Sequence, residues 1–108
     1  MTRGDIALVV LPGAYGKPRP AVIVQADLMN ETHGSTVVLP LTTYQLAIEG
    51  VRVRIGPSAS TGLRESSFVM VDKITVVPRE KVRAIVGRVD PAVLQEIGRC
   101  LMNILDLP

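Results

Sequence analysis

The stretch GKPRPAVIVQ, residues 16–25, joins a turn to an apolar strand and holds one arginine between two prolines. Pro18 fixes its own φ, and Pro20 disfavours helical backbone at Arg19, which is therefore predicted to be extended. The guanidinium then stands on stiff backbone at the start of a buried strand, so little freedom is lost when it binds a phosphate. The alternative is a solvated arginine in a tight surface loop.

The composition predicts one folded domain spanning residues 1–108. That length is enough to bury a core without disulfides or metals, and 47% of the residues are hydrophobic. Aromatic residues make up only 3%, so the core must be aliphatic, and a base-stacking platform of the common RNA-binding type is not expected. The net charge of +2 leans mildly toward anionic partners.

Cys100 is the only cysteine and His33 the only histidine. No intramolecular disulfide can form, and one chain cannot supply a His/Cys-ligated metal cage, so neither a metal nor a cofactor is expected. The N-terminus lacks a long apolar signal segment, and no run approaches the roughly 18 apolar residues of a membrane helix. We therefore expect a soluble cytoplasmic domain without a membrane segment.

Short β-rich runs dominate the chain. We predict strands at 6–11, 20–25, 36–43, 51–55, 67–72 with an extension over 74–77, and 81–89. The strict alternation over 51–55 directs Arg52 and Arg54 outward, where they either contact RNA or keep the strand surface soluble. The Gly/Pro/Ser/Thr segment 56–62 is predicted to be a mobile loop.

One amphipathic helix is predicted at the C-terminus. Asp90 and Pro91 are an N-cap and a first helical residue. Apolar residues then follow the 3.6-residue period at Val93, Leu94, Ile97, Leu101, Ile104 and Leu105. Asp27 is a candidate cap for a single helical turn earlier in the chain. The fold class is therefore mainly β (α+β), a small and strongly bent antiparallel sheet or barrel with one terminal helix.

Familiar catalytic motifs are absent: the chain has no G-x-G-x-x-G, Walker loop, H-E-x-x-H or nucleophile elbow. The remaining polar candidates lie at strand ends or in adjoining turns, from which side chains of different strands can converge at one rim of a small sheet. They are Lys17, Arg19, Gln25, Thr42, Thr43 and Asp72.

Four segments together resemble the MazF/PemK/Kid toxins of bacterial toxin–antitoxin pairs. They are GDI at 4–6, RPAVIV at 19–24, VLPLTT at 38–43 and VDKI at 71–74, in the family's order and spacing. The resemblance implies an SH3-like barrel, shared with the gyrase poison CcdB, and a homodimer. It also implies a metal-independent, sequence-specific endoribonuclease acting on single-stranded RNA. The implied inhibitor is a cognate antitoxin with a disordered, acidic-hydrophobic tail.

In that family the RNA's own 2′-hydroxyl attacks the adjacent phosphorus, which leaves a 2′,3′-cyclic phosphate and a 5′-hydroxyl. By resemblance, Arg19 stabilises the developing charge, Thr42 binds a non-bridging oxygen and Asp72 is the general base. The alternative for Asp72 is a residue at a strand end that caps a turn. The remaining candidates, which would contact RNA, are Lys17, Gln25, Thr43, Arg52 and Arg54.

The chain also departs from the family pattern. Many members carry a tryptophan in place of Ala7, a longer loop than 12–18, and in Kid an arginine in place of Met70. Two alternatives keep the fold: a CcdB-like poison that binds a protein target and does not need Arg19 or Thr42, and a catalytically silent antitoxin- or nucleic-acid-binding module. The intact pair of Arg19 and Thr42 favours the nuclease.

Overall fold

The computed structural model describes all residues from 1 to 108. It contains seven strands, two α-helices and a short 3₁₀ turn at Arg79–Lys81. The strands are β1 (Asp5–Val10), β2 (Pro18–Ile23), β3 (Ser35–Thr42), β4 (Arg52–Ile55), β5 (Ser67–Met70), β6 (Thr75–Pro78) and β7 (Val82–Arg88). The helices are α1 (Asp27–Thr32) and α2 (Pro91–Ile104).

The strands form one bent antiparallel sheet in the order β4-β5-β3-β2-β1-β7, and β6 also pairs with β3. β3 is long enough to pair with three strands, taking β6 along its first half and β5 at its end. Because β6 and β7 do not pair, the sheet curls without closing. The predicted fold class, mainly β with a strongly bent antiparallel sheet and a C-terminal helix, is confirmed.

Successive residues of the central strands pack alternately into two separate apolar cores. The larger core lies between the sheet and α2, and includes Ile6, Val22, Leu39, Val69 and Ile97. The smaller one lies on the opposite face of these strands and includes Ala7, Val9, Ala21, Ile23, Val38 and Val77. Both faces of β1 to β3 are therefore buried, which explains why their sequences are nearly continuous apolar runs.

Helix α2 begins as predicted, with Asp90 at the N-cap and Pro91 at the first helical position, although the Asp90 carboxylate makes no capping hydrogen bond. The N-cap of α1 is Ala26, so the prediction of Asp27 as a cap is wrong. The Asp27 carboxylate instead accepts a hydrogen bond from the backbone N–H of Arg3 at 2.6 Å. Neither helix is long and apolar enough to cross a membrane.

Segment 67–77 is two strands, β5 and β6, where the sequence suggested one strand and its extension. A turn begins at Val71 and redirects the chain, so that the two strands pair with different ends of β3. Apolar residues run through the turn because Val71 is itself buried in the larger core.

The loop 56–62 is docked against β7, although its composition predicted mobility. The Arg88 N–H donates to the Ser60 carbonyl at 2.8 Å, and the loop backbone lies directly against Gly87, where a Cβ would overlap the Thr61 carbonyl. The Thr61 side chain is buried and shares hydrogen bonds with Ser58. A close backbone approach over a glycine therefore holds this loop in place.

Candidate active site

The ends of β2 and β3 bring Arg19 and Thr42 together. The two strands pair with Ala21 opposite Pro40. The pairing ends at these two residues, and two residues further along each strand Arg19 and Thr42 line one groove. The guanidinium and the hydroxyl are thus neighbours in space, although 22 residues separate them in the chain.

A groove of about 370 Å³ opens over this pair. Its lining combines one cation, three hydroxyls and apolar surface, and contains no carboxylate or imidazole: Leu11, Arg19, Pro20, Pro40, Leu41, Thr42, Thr43, Ser67 and Met70. Such a surface suits a negatively charged ligand, because the cation meets no competing anion and the hydroxyls can donate hydrogen bonds.

The same sheet face continues from the groove onto β5 and β4. Thr42 pairs with Phe68, and Phe68 pairs with Arg54. One row along, the groove-lining Met70 pairs with Arg52. The strand pattern therefore presents both arginines on the face that carries Arg19 and Thr42, as the alternation over 51–55 predicted for an outward face.

The cations on this face lack internal counter-charges. The chain has two ion pairs, Lys73 with Asp72 and Arg88 with Asp5, and neither involves Arg19, Arg52 or Arg54. Arg54 is exposed, whereas Arg52 is half-buried and its Nε is a buried donor without a hydrogen-bond partner. Lys17 is also unpaired and lies exposed in the turn immediately before β2.

The hydroxyl of Thr42 is oriented by the chain that follows it. Its Oγ1 accepts a hydrogen bond from the backbone N–H of Tyr44 at 3.1 Å. Because that bond uses an oxygen lone pair, the hydroxyl proton stays available to donate to a ligand in the groove. Thr43, the next residue, also lines the groove.

Asp72 is not part of the groove lining. It lies in the turn after β5, two residues beyond Met70, and its Oδ2 is 3.7 Å from the Nζ of Lys73. The structure thus brings Arg19 and Thr42 together and leaves the predicted carboxylate at an adjacent turn.

Gln25 is far from the groove, and its assignment as an RNA contact does not fit its position. It follows the opposite end of β2, six residues or about 20 Å of extended chain from Arg19. Its side chain is buried, and its Nε2 donates to Asn30 Oδ1 at 2.9 Å and to the Ser35 carbonyl at 3.0 Å. Asn30 Oδ1 also accepts from Thr36 Oγ1 at 2.8 Å. Gln25 thus belongs to a buried polar network that anchors α1.

Ser67 and Leu11 line the groove, and the sequence alone did not single them out. Ser67 is buried at the start of β5, and its Oγ donates to the Glu65 carbonyl at 3.2 Å. The register of β3 against β5 brings Ser67 to the groove. The register between two distant strands cannot be predicted from one sequence. Leu11 ends the apolar run of β1, where alternation alone predicts only core packing.

The single thiol lies in the larger core rather than in the groove. Burial raises the pKa of the Cys100 thiol above its ordinary value; the charge of Glu96 raises it further, and Arg99 acts in the opposite direction. Cys100 is therefore a neutral core residue at neutral pH. No group of three or more His, Cys, Asp or Glu side chains is positioned to hold a metal ion.

The chain is similar to known toxins over its whole length. Residues 2–105 match the family described as the PemK-like, MazF-like toxin of type II toxin–antitoxin systems. The chain is 41% identical over 108 residues to a probable endoribonuclease MazF of Mycolicibacterium smegmatis, and the match covers 99% of this chain and 98% of that protein. It is 30% identical over 116 residues to endoribonuclease MazF9 of Mycobacterium tuberculosis, again covering 99% and 98%.

Solved structures agree with this. A mycobacterial endoribonuclease in complex with its cognate antitoxin has a TM-score of 0.84 and 27% identity, with 100% of this chain and 97% of that chain covered. The MazF of a MazE–MazF complex from Deinococcus radiodurans has the same fold, with a TM-score of 0.79 at 19% identity and coverage of 100% and 97%. The chain belongs to the PemK/MazF family of type II toxin–antitoxin toxins.

Proposed function

We propose that this protein is a toxin that cleaves single-stranded RNA at specific sequences, without a metal ion, by attack of the 2′-hydroxyl on the adjacent phosphorus. The observation that carries the proposal is that Arg19, at the start of β2, and Thr42, at the end of β3, line one groove whose lining has no acidic side chain. The relatives that are named endoribonucleases, at 41% and 30% identity over nearly the whole chain, support the reaction class.

In the proposed reaction the 2′-oxygen forms a bond to phosphorus and the bond from phosphorus to the 5′-oxygen breaks. The products are a 2′,3′-cyclic phosphate and a 5′-hydroxyl. One proton leaves the 2′-hydroxyl, and the departing 5′-oxygen takes one up from Lys17 or from water. The intermediate phosphorane carries extra negative charge, and fixed donors aimed at that charge usually provide the largest part of the rate enhancement.

Arg19 is the proposed source of that stabilisation, because its guanidinium stays protonated and offers a planar fork of donors. For the same reason it is not the general base. The Thr42 hydroxyl is proposed to donate to a non-bridging oxygen, which its acceptance of the Tyr44 N–H leaves it free to do. Asp72, in the turn beyond the groove-lining Met70, is the proposed proton acceptor.

The remaining RNA contacts are proposed from position and charge. Thr43 lines the groove itself, and Lys17 stands in the turn that leads into Arg19. Arg52 and Arg54 share the sheet face of Thr42 and have no internal counter-ion, so backbone phosphates extending from the groove would meet them.

We also propose that the protein acts as a homodimer and is inhibited by a cognate antitoxin whose acidic, disordered tail competes for this face. The mycobacterial relative solved with its cognate antitoxin supports the second point. Arginines without internal counter-ions would attract such a tail. Light scattering tests the homodimer, because it measures the mass of the protein in solution, which should be twice that of one chain.

The test is cleavage of a long single-stranded RNA and of its DNA counterpart, both with EDTA. We expect RNA to be cut at a recurring sequence with 5′-hydroxyl ends, and DNA to stay intact. Arg19→Ala should lower the rate about 10²- to 10³-fold, the range for loss of one transition-state donor. Thr42→Val should lower it as well, whereas Thr42→Ser retains the hydroxyl and should restore most of the activity. Arg83→Ala is the matched control, since Arg83 is an exposed arginine outside the groove.

Folded protein that leaves RNA intact but still halts growth would contradict the nuclease and point to a protein target such as gyrase. Full activity of Arg19→Ala would contradict the assigned mechanism. Asp72→Asn tests the proton acceptor separately: an unchanged pH–rate profile would remove Asp72 from the scheme.

A further inference from the structure

The two exposed aromatic residues of the chain both lie in segments that adjoin groove-lining residues. Tyr15 is 104% exposed and Tyr44 is 67% exposed, while Phe68, the third aromatic residue, is buried. Tyr15 stands in the turn between β1 and β2, four residues before Arg19. Tyr44 directly follows Thr43 of the groove lining. In a chain with so few aromatics, this placement calls for an explanation.

Folding does not account for Tyr15. Its ring is fully exposed and makes no packing contact. Its backbone φ is +53°, in the left-handed region that residues other than glycine seldom adopt. The turn that carries it is ordered by two hydrogen bonds, from the Ala14 N–H to the Leu11 carbonyl at 3.2 Å and from the Lys17 N–H to the Ala14 carbonyl at 3.0 Å. The turn that carries the ring is therefore hydrogen-bonded to Leu11, which lines the groove.

Tyr44 is likewise an exposed ring on an anchored backbone. Its N–H donates to the Oγ1 of Thr42. The next side chain, Gln45, donates from Nε2 to the Thr43 and Ser66 carbonyls, each at 2.9 Å, and so ties this segment to the residue before β5. The Tyr44 ring is therefore attached to the same backbone segment that orients the Thr42 hydroxyl.

A tyrosine ring exposed to water offers a flat face of about the size of a nucleobase. Unpaired bases of single-stranded RNA stack on such rings, and stacking tolerates any base because every base has a π-face. Two rings beside one phosphate-binding pair match the two bases that flank one phosphate. We propose that Tyr15 and Tyr44 stack on the bases on either side of the phosphate that Arg19 and Thr42 hold. The inference rests on the proposed function, since it presupposes an RNA substrate.

The experiment measures binding of a short single-stranded RNA that contains the mapped cleavage site and a 2′-O-methyl group on the attacking hydroxyl. Fluorescence anisotropy gives its Kd. Tyr15→Ala and Tyr44→Ala should each raise the Kd by about 5- to 150-fold, the range for losing one stacked base. Tyr15→Phe and Tyr44→Phe keep the ring and should bind like the wild type. Leu28→Ala is the control, because Leu28 is an apolar residue, 77% exposed, on α1.

A matched change in the RNA identifies the stacked base. An abasic nucleotide at the position that stacks on Tyr15 should weaken wild-type binding but leave Tyr15→Ala unaffected, and likewise for Tyr44 at the other flank. Such non-additivity is direct evidence of contact. Tyr15→Gly removes the ring where glycine suits the backbone, so weaker RNA binding by this variant cannot be attributed to misfolding.

Two results would overturn the inference. If both alanine variants bind the RNA with the Kd of the wild type, and cleavage still depends on Arg19, the stacking role is refuted and the proposed function stands. Unchanged Kd values together with loss of dimer mass or of antitoxin binding would assign the rings to a protein interface. A wild-type protein that neither binds nor cuts RNA would instead refute the proposed function itself.

Discussion

The Gly87→Ala substitution tests whether loop 56–62 is a fixed part of the fold. A Cβ at position 87 would lie 2.5 Å from the Ser60 carbonyl oxygen and would also overlap the Thr61 carbonyl. These are backbone atoms, which cannot rotate away as a side-chain tip can. The loop must therefore move away from β7. This movement breaks the 2.8 Å hydrogen bond from the Arg88 N–H to the Ser60 carbonyl and exposes the buried Thr61 to solvent.

The magnitude follows from these contacts. Overpacking of a filled site costs about 1 to 3 kcal/mol, and loss of one backbone hydrogen bond about 1 kcal/mol. We expect Gly87→Ala to lower the free energy of unfolding by about 2 to 4 kcal/mol, a large fraction of the 5 to 15 kcal/mol of a typical domain. Urea unfolding measures this change, and hydrogen exchange should show lost protection of the Arg88 amide.

Gly98→Ala is the matched control. Gly98 lies inside α2 with no atom near its would-be Cβ, so alanine should stabilise the protein by about 0.5 to 1 kcal/mol. If Gly87→Ala unfolds within about 0.5 kcal/mol of the wild type, below any cost expected from a core clash, the loop is mobile and the docking argument fails. Because the loop does not line the groove, folded Gly87→Ala protein should still cut RNA at the wild-type sequence; a changed cleavage sequence would assign the loop to base recognition.

Three further substitutions and one labelling experiment test other parts of the structure. Arg19→Lys keeps the charge but loses the planar fork, so the cleavage rate should fall between those of the wild type and Arg19→Ala. Asn30→Ala should lower the free energy of unfolding by about 2 to 4 kcal/mol in urea, because it leaves the buried Gln25 amide and the Thr36 hydroxyl without a shared acceptor. A thiol reagent at pH 8 should label Cys100 slowly in the native protein and rapidly in guanidinium, since burial raises its pKa. Above pH 9 the unfolded chain loses this proton more readily than the folded one, so this thiol contributes a fall in stability with rising pH that Cys100→Ala should lack.

Local rules made much of the fold predictable. The alternation over 51–55 identified a strand with outward arginines, and the Asp90–Pro91 start with apolar residues every 3.6 positions identified α2. The prolines around Arg19 predicted its extended backbone at the mouth of β2. These features depend on steric limits and on side-chain periods that act within a few residues. The sequence by itself therefore determined the type and approximate place of most elements, although not the turn that separates β5 from β6.

Only the tertiary structure decided which strand ends meet. The antiparallel packing of β2 on β3 brings Arg19 and Thr42 to one groove, while the register between β3 and β5 adds Ser67 and leaves Asp72 in the next turn. In the sequence, Gln25 at the end of an apolar strand looks the same whether it is exposed or buried. Only the packing of α1 over it shows that it belongs to a buried hydrogen-bond network. The loop 56–62 has the composition of a mobile segment, yet Gly87 lets β7 accept its backbone. Such pairings join residues far apart in the chain, and their energies depend on contacts that exist only once the sheet has curled.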